Sequence, residues 1–395
     1  MESENVELEE IKEEPKKTSS MEKYKLKRLW ILLLFPIAIA FWVLSKISPW
    51  IAEYIFARGY YCLLGNIFSY ISGFFPVSIA EILIVAGTII FFIAIIVWIV
   101  RMIDHKDQNA FLIFYKGIIN FLDAVAIIMF FVITFAMVNI NRYSFAKQAD
   151  LEIKEHSEKQ LYALTLDLTK KCNKLKEKTV SNKKGEFELN MDFVKMREEA
   201  EKAYKRAGKE YKVLNKVHIN AKPVHFSRAM SFSGIIGVYT PFTIEANIDT
   251  DICEYKQPAT MCHEIAHLQG YMKEDEANYI AFLVCRKSKN YAFQYSGYMS
   301  ALSLCLNSLG DENKKLYDRI YANISDGVKA DLQANNKYWK RIYDSQMAQT
   351  IEKTTTNFND TYLKISGQKG VKSYGLAVDL LLAERDKKTA NKKRD

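Results

Sequence analysis

The sequence predicts a mainly α membrane protein: three transmembrane helices, then a mostly helical α+β domain with a small sheet and an edge strand. Three observations predict it. Hydrophobic residues make up 49% of the chain, and their excess lies in the first 140 positions. Only 16 glycines and 7 prolines punctuate 395 residues, which favours long helices over a β-rich fold. Beyond the apolar part, charged and apolar positions mix at helical spacing except near 212–250.

Residues 1–27 are charged and polar and read as a disordered cytoplasmic tail. Lys23, Lys25, Lys27 and Arg28 precede the apolar run Leu29 to Leu44, giving a first span over about 28–47 in which Pro36 is tolerated. This basic segment lies too far into the chain for a signal peptide, and no small-residue cleavage site follows. The second run, Ile82 to Val100, has no charge and is long enough to span. The third, Ile118 to Ile140, carries only Asp123, read as an acid near the span's end that reaches the headgroups.

Loop charges set the expected orientation. The Lys-rich lead and the loop 101–117, with Arg101, Lys106 and Lys116, belong in the cytoplasm. The loop 48–77 has Arg58 as its only basic residue and carries Trp50, Tyr54, Tyr60 and Tyr61, as an outer interfacial helix would. The reading is a multi-pass protein of the cell membrane, with the lipid bilayer as a partner. It has a three-helix region over 28–141, an extracytoplasmic domain over 142–385 and a basic tail over 386–395.

In the outer domain, residues 150–178 and 191–211 read as amphipathic helices. Val224 to Phe226 and Ile235 to Tyr239 read as strands, with Gly234 and Gly237 at turns or bulges. Helices are expected again over 259–269, 274–288, 293–309, 312–333 and 336–360. Six cysteines without a CxxC pair exclude a disulfide scaffold and read as small buried side chains, Cys62 at the membrane. The net charge of +9 comes without a nucleic-acid motif, so it belongs to solvated helix faces and the membrane-flanking segment, and no nucleic-acid partner is expected. The sequence sets no oligomeric state.

The chemistry concentrates in His263-Glu264-Ile265-Ala266-His267. Histidines four apart share one helix face and can offer two ring nitrogens to one zinc ion. Glu264, beside the first of them, can act as the base that activates a water polarised by the metal. Gly270 is expected to end the helix in a left-handed cap. A second helix then begins near Glu274, which is the chosen third ligand, with Glu276 in reserve and Asp275 behind it. Asn278, four residues on, would take the hydrogen bond of a ligating histidine. Residues 235–248 are placed to run past the metal as a substrate edge strand, with Asn247 offering its side chain or backbone to a peptide. For the oxyanion, Tyr295 is the first choice among Tyr295, Tyr298, Tyr239 and His225.

HExxH followed by ExxxD is similar to the pattern of the gluzincin metallopeptidases. The resemblance matches His263, His267 and Glu274 to the ligands and Glu264 to the catalytic glutamate, and implies a zincin-like fold. Asn278 stands where an aspartate is usual, and the step from His267 to Glu274 is short for that family. A metzincin's third histidine would fall at Lys273. A wider resemblance rests on the three spans, Met230 to Gly234, Gly237 to Asn247, HEIAHLQGY, EDEANYIAF, Tyr295 to Tyr298, Asn359 to Lys364 and Gly370 to Gly375. In these the chain resembles an uncharacterised family of bacterial three-span membrane proteins regarded as gluzincin-like (HExxH) zinc metallopeptidases.

The expected function is a membrane-anchored zinc metallopeptidase, a hydrolase acting on a peptide or protein substrate. The alternatives are a non-catalytic zinc-binding membrane sensor or assembly protein, or a cell-wall peptide amidase with the same zinc chemistry. Cleavage inside the bilayer is not expected, because Lys256 and Gln257 precede the motif and Lys273 to Glu276 follow it.

Overall fold

The computed structural model describes residues 30–104, 110–365 and 374–392, so the tail expected over 1–27 lies outside the described residues. Three helices are long and apolar enough to cross a membrane: Trp30–Ile47, Ile79–Asp104 and Leu112–Ile140. Their surfaces carry large apolar side chains such as Ile84, Ile90 and Phe92, more than half exposed. Such a surface is costly in water and suited to lipid. The first span contains α1 (Leu34–Ile47). A π-helical segment, Ile51–Tyr61, runs directly into α2 (Cys62–Gly73). Spans two and three are α3 (Ile79–Asp104) and α4 (Ala110–Val132), the latter extended by a second π-helical stretch, Ile133–Met137. Asp123 is buried well inside the third span, not at its end as the sequence suggested.

Two compact units are present: Ala38–Phe91 with Phe131–Asp395, and the rest of the spans, up to Ile37 and Phe92–Phe130. The larger unit therefore includes residues 48–77, which the sequence places on the outer face with an interfacial helix and which are helical over Ile51–Tyr61 and Cys62–Gly73. They are core. Ala52, Phe56, Ala57 and Tyr61 are buried. Tyr61 packs against Phe135, and its hydroxyl lies 2.9 Å from the Leu268 carbonyl and 3.0 Å from the Tyr239 hydroxyl.

A buried ion pair joins the same segment to the end of span three. Arg142 donates to both carboxylate oxygens of Glu53, at 2.9 and 3.0 Å, and its Nη1 reaches the Gln269 and Gly270 carbonyls at 3.3 Å. Its guanidinium lies over the Tyr271 ring, 4.3 Å from the centroid. Burial alone would push the Glu53 carboxyl up, but Arg142 and Arg58 outweigh it and hold the group below its ordinary value of 4.5. Glu53→Gln is expected to destabilise the fold by about 3–5 kcal/mol, because it strands a buried guanidinium. The sign with pH follows from the lowered value. In the wild type this contribution is fully present above about pH 4.5 and fades as the pH falls through the lowered pKa, and the variant lacks that acid limb. Thermal unfolding of the detergent-solubilised chain across pH measures both.

The remaining elements are helical around one small sheet. After the short helical turn Phe145–Gln148 comes α5 (Glu158–Lys176), opened by a capping box of Ser157 and Gln160 and burying Leu161, Leu164, Leu168, Cys172 and Leu175 at spacings of three and four. α6 (Phe193–Glu210) is capped by Asp192. Strands β1 (Ala221–Pro223), β2 (Gly237–Thr240) and β3 (Glu245–Ile248) lie in the order β1-β3-β2, with β1 parallel and β2 antiparallel to β3. The first strand thus falls just before Val224 to Phe226, where the sequence placed it. Next come α7 (Gln257–Leu268), α8 (Glu274–Lys287), α9 (Tyr291–Glu312), α10 (Lys314–Ala322), α11 (Asp326–Ile342), α12 (Gln346–Ile365) and α13 (Tyr374–Lys392). The helix expected over 312–333 is broken by the turn at Asn323 to Ser325, where the Asn173 side chain binds the Asn323 carbonyl and the Ser325 amide. The basic tail expected over 386–395 continues α13 as far as Lys392. α7 packs between the sheet and α8, with α9 behind them.

Candidate metal centre

α7 carries the motif. Pro258 stands in its first turn, where a missing amide proton costs nothing. The helix ends in a Schellman turn: Gly270 has φ 87°, its amide donates to the His267 carbonyl at 2.8 Å, and the Tyr271 amide donates to Ala266 at 3.1 Å. The left-handed glycine expected at this position is thus present. The turn brings the Tyr271 carbonyl back against the helix, where it accepts from His267 Nδ1 at 2.7 Å. A carbonyl can only accept, so Nδ1 carries a proton, and it is Nε2 that is left bare when the ring is neutral. The partner expected for a histidine, Asn278, does not take this role. Its Nδ2 is buried and has no hydrogen-bond partner among the described residues.

α8 begins at Glu274 and delivers that carboxylate to the two imidazoles. The fully buried Ala266 and Ala277 let α7 and α8 approach closely. His263 Nε2 and His267 Nε2 are 3.1 Å apart. Glu274 Oε2 is 3.3 Å from the first and Oε1 is 3.5 Å from the second. Donors bonded to zinc at ~2.0–2.1 Å in a tetrahedral arrangement stand roughly 3.3–3.4 Å apart, so the spacing suits one such divalent cation. Two bare imidazole nitrogens this close repel each other unless a proton or a cation lies between them. Among the described residues, these three are the group that could hold a metal ion.

The electrostatics agree with a cation site. Burial lowers the His267 pKa, but the Glu274 carboxylate outweighs it and raises the group to about 9. Burial would raise Glu274, but the two histidines outweigh that and hold it well below the usual carboxylate range. Glu264 stands apart from the three donors. It is 4% exposed, burial pushes its carboxyl up, and it accepts a hydrogen bond from the Tyr239 backbone amide on β2. The side chains of His263 and Glu274 are 16% and 21% exposed, so the centre opens to solvent on their side.

Strand β2 lies against Glu264. A Cβ built on Gly237 would sit 2.6 Å from Glu264 Cγ, which real atoms do not tolerate. The glycine read from sequence as a bulge or turn is instead what lets an edge strand touch the acid. Gly237→Ala should displace the carboxylate and lower any hydrolytic kcat/KM by about 10²-fold while leaving metal affinity within a few-fold, measured by steady-state kinetics and metal titration.

Several expected residues lie elsewhere. Asn247 is in β3, the central strand, and its side chain is spent on Ser78, Thr240 and backbone carbonyls. It is not on the edge, and β2 takes that place. Tyr295 donates to Asp331 at 2.5 Å and stacks on Phe187, so its hydroxyl is committed there. The Tyr298 ring packs edge-on against Phe282, and His225 packs against Phe226 with its amide on Glu81. Tyr239 does reach the site, through its backbone. Glu276 turns away and accepts from the Phe145 amide, its carboxyl pushed up to about 7 by burial. Sequence reasoning missed Tyr271, Glu53 and Arg142. The one available signal was that Glu53 is the sole carboxylate in the aromatic stretch 48–77.

Comparison with known families gives one match: the model of a family described as a protein of unknown function, DUF3810, matches residues 56–382. No curated protein and no solved structure matches the chain.

Proposed function

This chain belongs to the DUF3810 family, and we propose that it is a membrane-anchored zinc metallopeptidase with a zincin-like site on the outer side of the cell membrane. The observation that carries the reading is the pairing of a three-donor cluster with a fourth, separate acid. His263, His267 and Glu274 converge at a spacing suited to zinc, while Glu264 stays off the cluster and under an edge strand. A purely structural metal site has no use for that acid.

His263, His267 and Glu274 would hold zinc, which would supply a positive centre able to acidify water. The residues of the chain do the rest. Glu264, kept from bulk water and with its proton affinity raised by burial, takes the proton of the attacking water and returns it to the leaving amine. Tyr271 fixes the His267 tautomer. An extended peptide can lie along the outer side of β2, where Val238 is exposed, and so be drawn across Glu264. Tyr61 ties the motif helix to Phe135 of the third span, which favours substrates presented at the bilayer surface. The loop charges favour an outward-facing site.

The test is made on the full chain in detergent. One equivalent of zinc per chain, together with zinc-dependent cleavage of a broad peptide library, is the expected result. Stoichiometric zinc without cleavage would instead favour the sensor reading, and failure to bind zinc would remove both.

A further inference from the structure

A basic groove runs along α6 and the segment that follows it, with α2 bordering one end, and none of its lining residues is a donor of the metal centre. Two adjoining depressions of about 260 and 350 Å³ share Lys205, Asn215 and Lys216, and Lys209 and Lys212 complete the basic lining. Lys205, Lys209 and Lys212 recur at spacings of four and three. Among the described residues none of these four lysines stands within ion-pair distance of a carboxylate, and Glu201 is the one acid in the lining. The walls are fixed to each other. Asn66 of α2 donates to the Lys216 carbonyl at 3.0 Å and accepts from the His218 amide at 2.8 Å, and His218 stacks on Tyr70 at 4.1 Å. The groove is therefore built before any ligand arrives.

Its neighbour says what the ligand is. On α2 and its cap, Leu63, Ile67, Ile71 and Phe74 recur at spacings of four, four and three, all about half exposed or more. That stripe has the geometry of a helix face laid in a membrane interface. Phe68 of the same helix packs on Phe131 and Phe135 of the third span, and the second span begins at Ile79, so α2 lies beside the lipid-facing helices. Tyr70 borders both the stripe and the groove.

We propose that the groove holds the phosphate of an anionic phospholipid, with the acyl chains along the Leu63–Phe74 stripe. This is independent of the peptidase reading. Four unpaired lysines favour an anionic headgroup over a zwitterionic one, whose choline would meet like charge. A lysine beside an anionic surface strengthens binding about fivefold, partly screened by salt.

The test uses the full chain in nanodiscs of phosphatidylcholine with and without phosphatidylglycerol, followed by mild detergent extraction and native mass spectrometry to count retained lipid. Wild type should retain phosphatidylglycerol in preference to phosphatidylcholine. The variant Lys205→Ala/Lys209→Ala/Lys212→Ala/Lys216→Ala, which changes only exposed side chains, should lower that retention at least about tenfold. Ile67→Ser/Ile71→Ser should lower it with the lysines intact. Equal retention by the lysine variant would overturn the proposal. So would displacement of the lipid by millimolar inorganic phosphate together with indifference to the Ile67 and Ile71 changes, which would mark a free-anion site.

Discussion

Glu264→Gln is expected to lower peptide hydrolysis by about 10²–10⁴-fold and to leave zinc at one equivalent per chain. Glu264 is not among the three converging donors, so the metal does not depend on it. Glutamine has the same shape, accepts the same Tyr239 amide and fits under the same Gly237 backbone. What it loses is the ability to accept a proton. A combined measurement of zinc by mass spectrometry and of cleavage rate by a quenched-fluorescence peptide separates the two roles. Unchanged cleavage in the variant would remove Glu264 as the base. Parallel loss of zinc and activity would make it a ligand.

Glu274→Ala should cost more zinc affinity than the roughly 10–100-fold associated with loss of an outer hydrogen-bond partner, because it removes one of three donors. Glu276→Ala should leave affinity unchanged. The contrast is sharp because the two acids are two residues apart on α8 and face different neighbours: Glu274 the imidazoles, Glu276 the Phe145 amide. Losing Glu276 strands that buried amide, at a cost of about 1–3 kcal/mol in stability. A competitive zinc titration run beside a melting curve reads both. If Glu276→Ala lost the metal while Glu274→Ala kept it, the assignment would reverse.

Much of this was legible because it obeys local rules. The i, i+4 histidines, the glycine that ends α7 and the acid that opens α8 are short-range features, and they are found as expected. The three apolar runs declared themselves by length and lack of charge. What local pattern does not encode is which distant segment meets which. Nothing near Asn247 says that β3 is central and β2 is the edge, because strand order is set by β1, some two dozen residues earlier. Tyr295 looked available as one tyrosine among 23, whereas Asp331, on another helix, claims its hydroxyl. Helical spacing points to Asn278, yet a backbone carbonyl four residues beyond His267 takes the ring's Nδ1.

The Glu53–Arg142 pair bears on how this protein can be divided. Cutting the chain after the third span, at residue 142, looks like the natural way to free a water-soluble domain. The resulting fragment would lose Glu53 and leave Arg142 without its counter-ion beside the Gln269 and Gly270 carbonyls, at the turn that aims His267. It would also lose Tyr61, whose removal uncovers the Leu268 carbonyl. The membrane part is not a leash for a finished domain. Through Tyr61 and the Glu53–Arg142 pair it supplies the floor on which the helix carrying His263 and His267 rests.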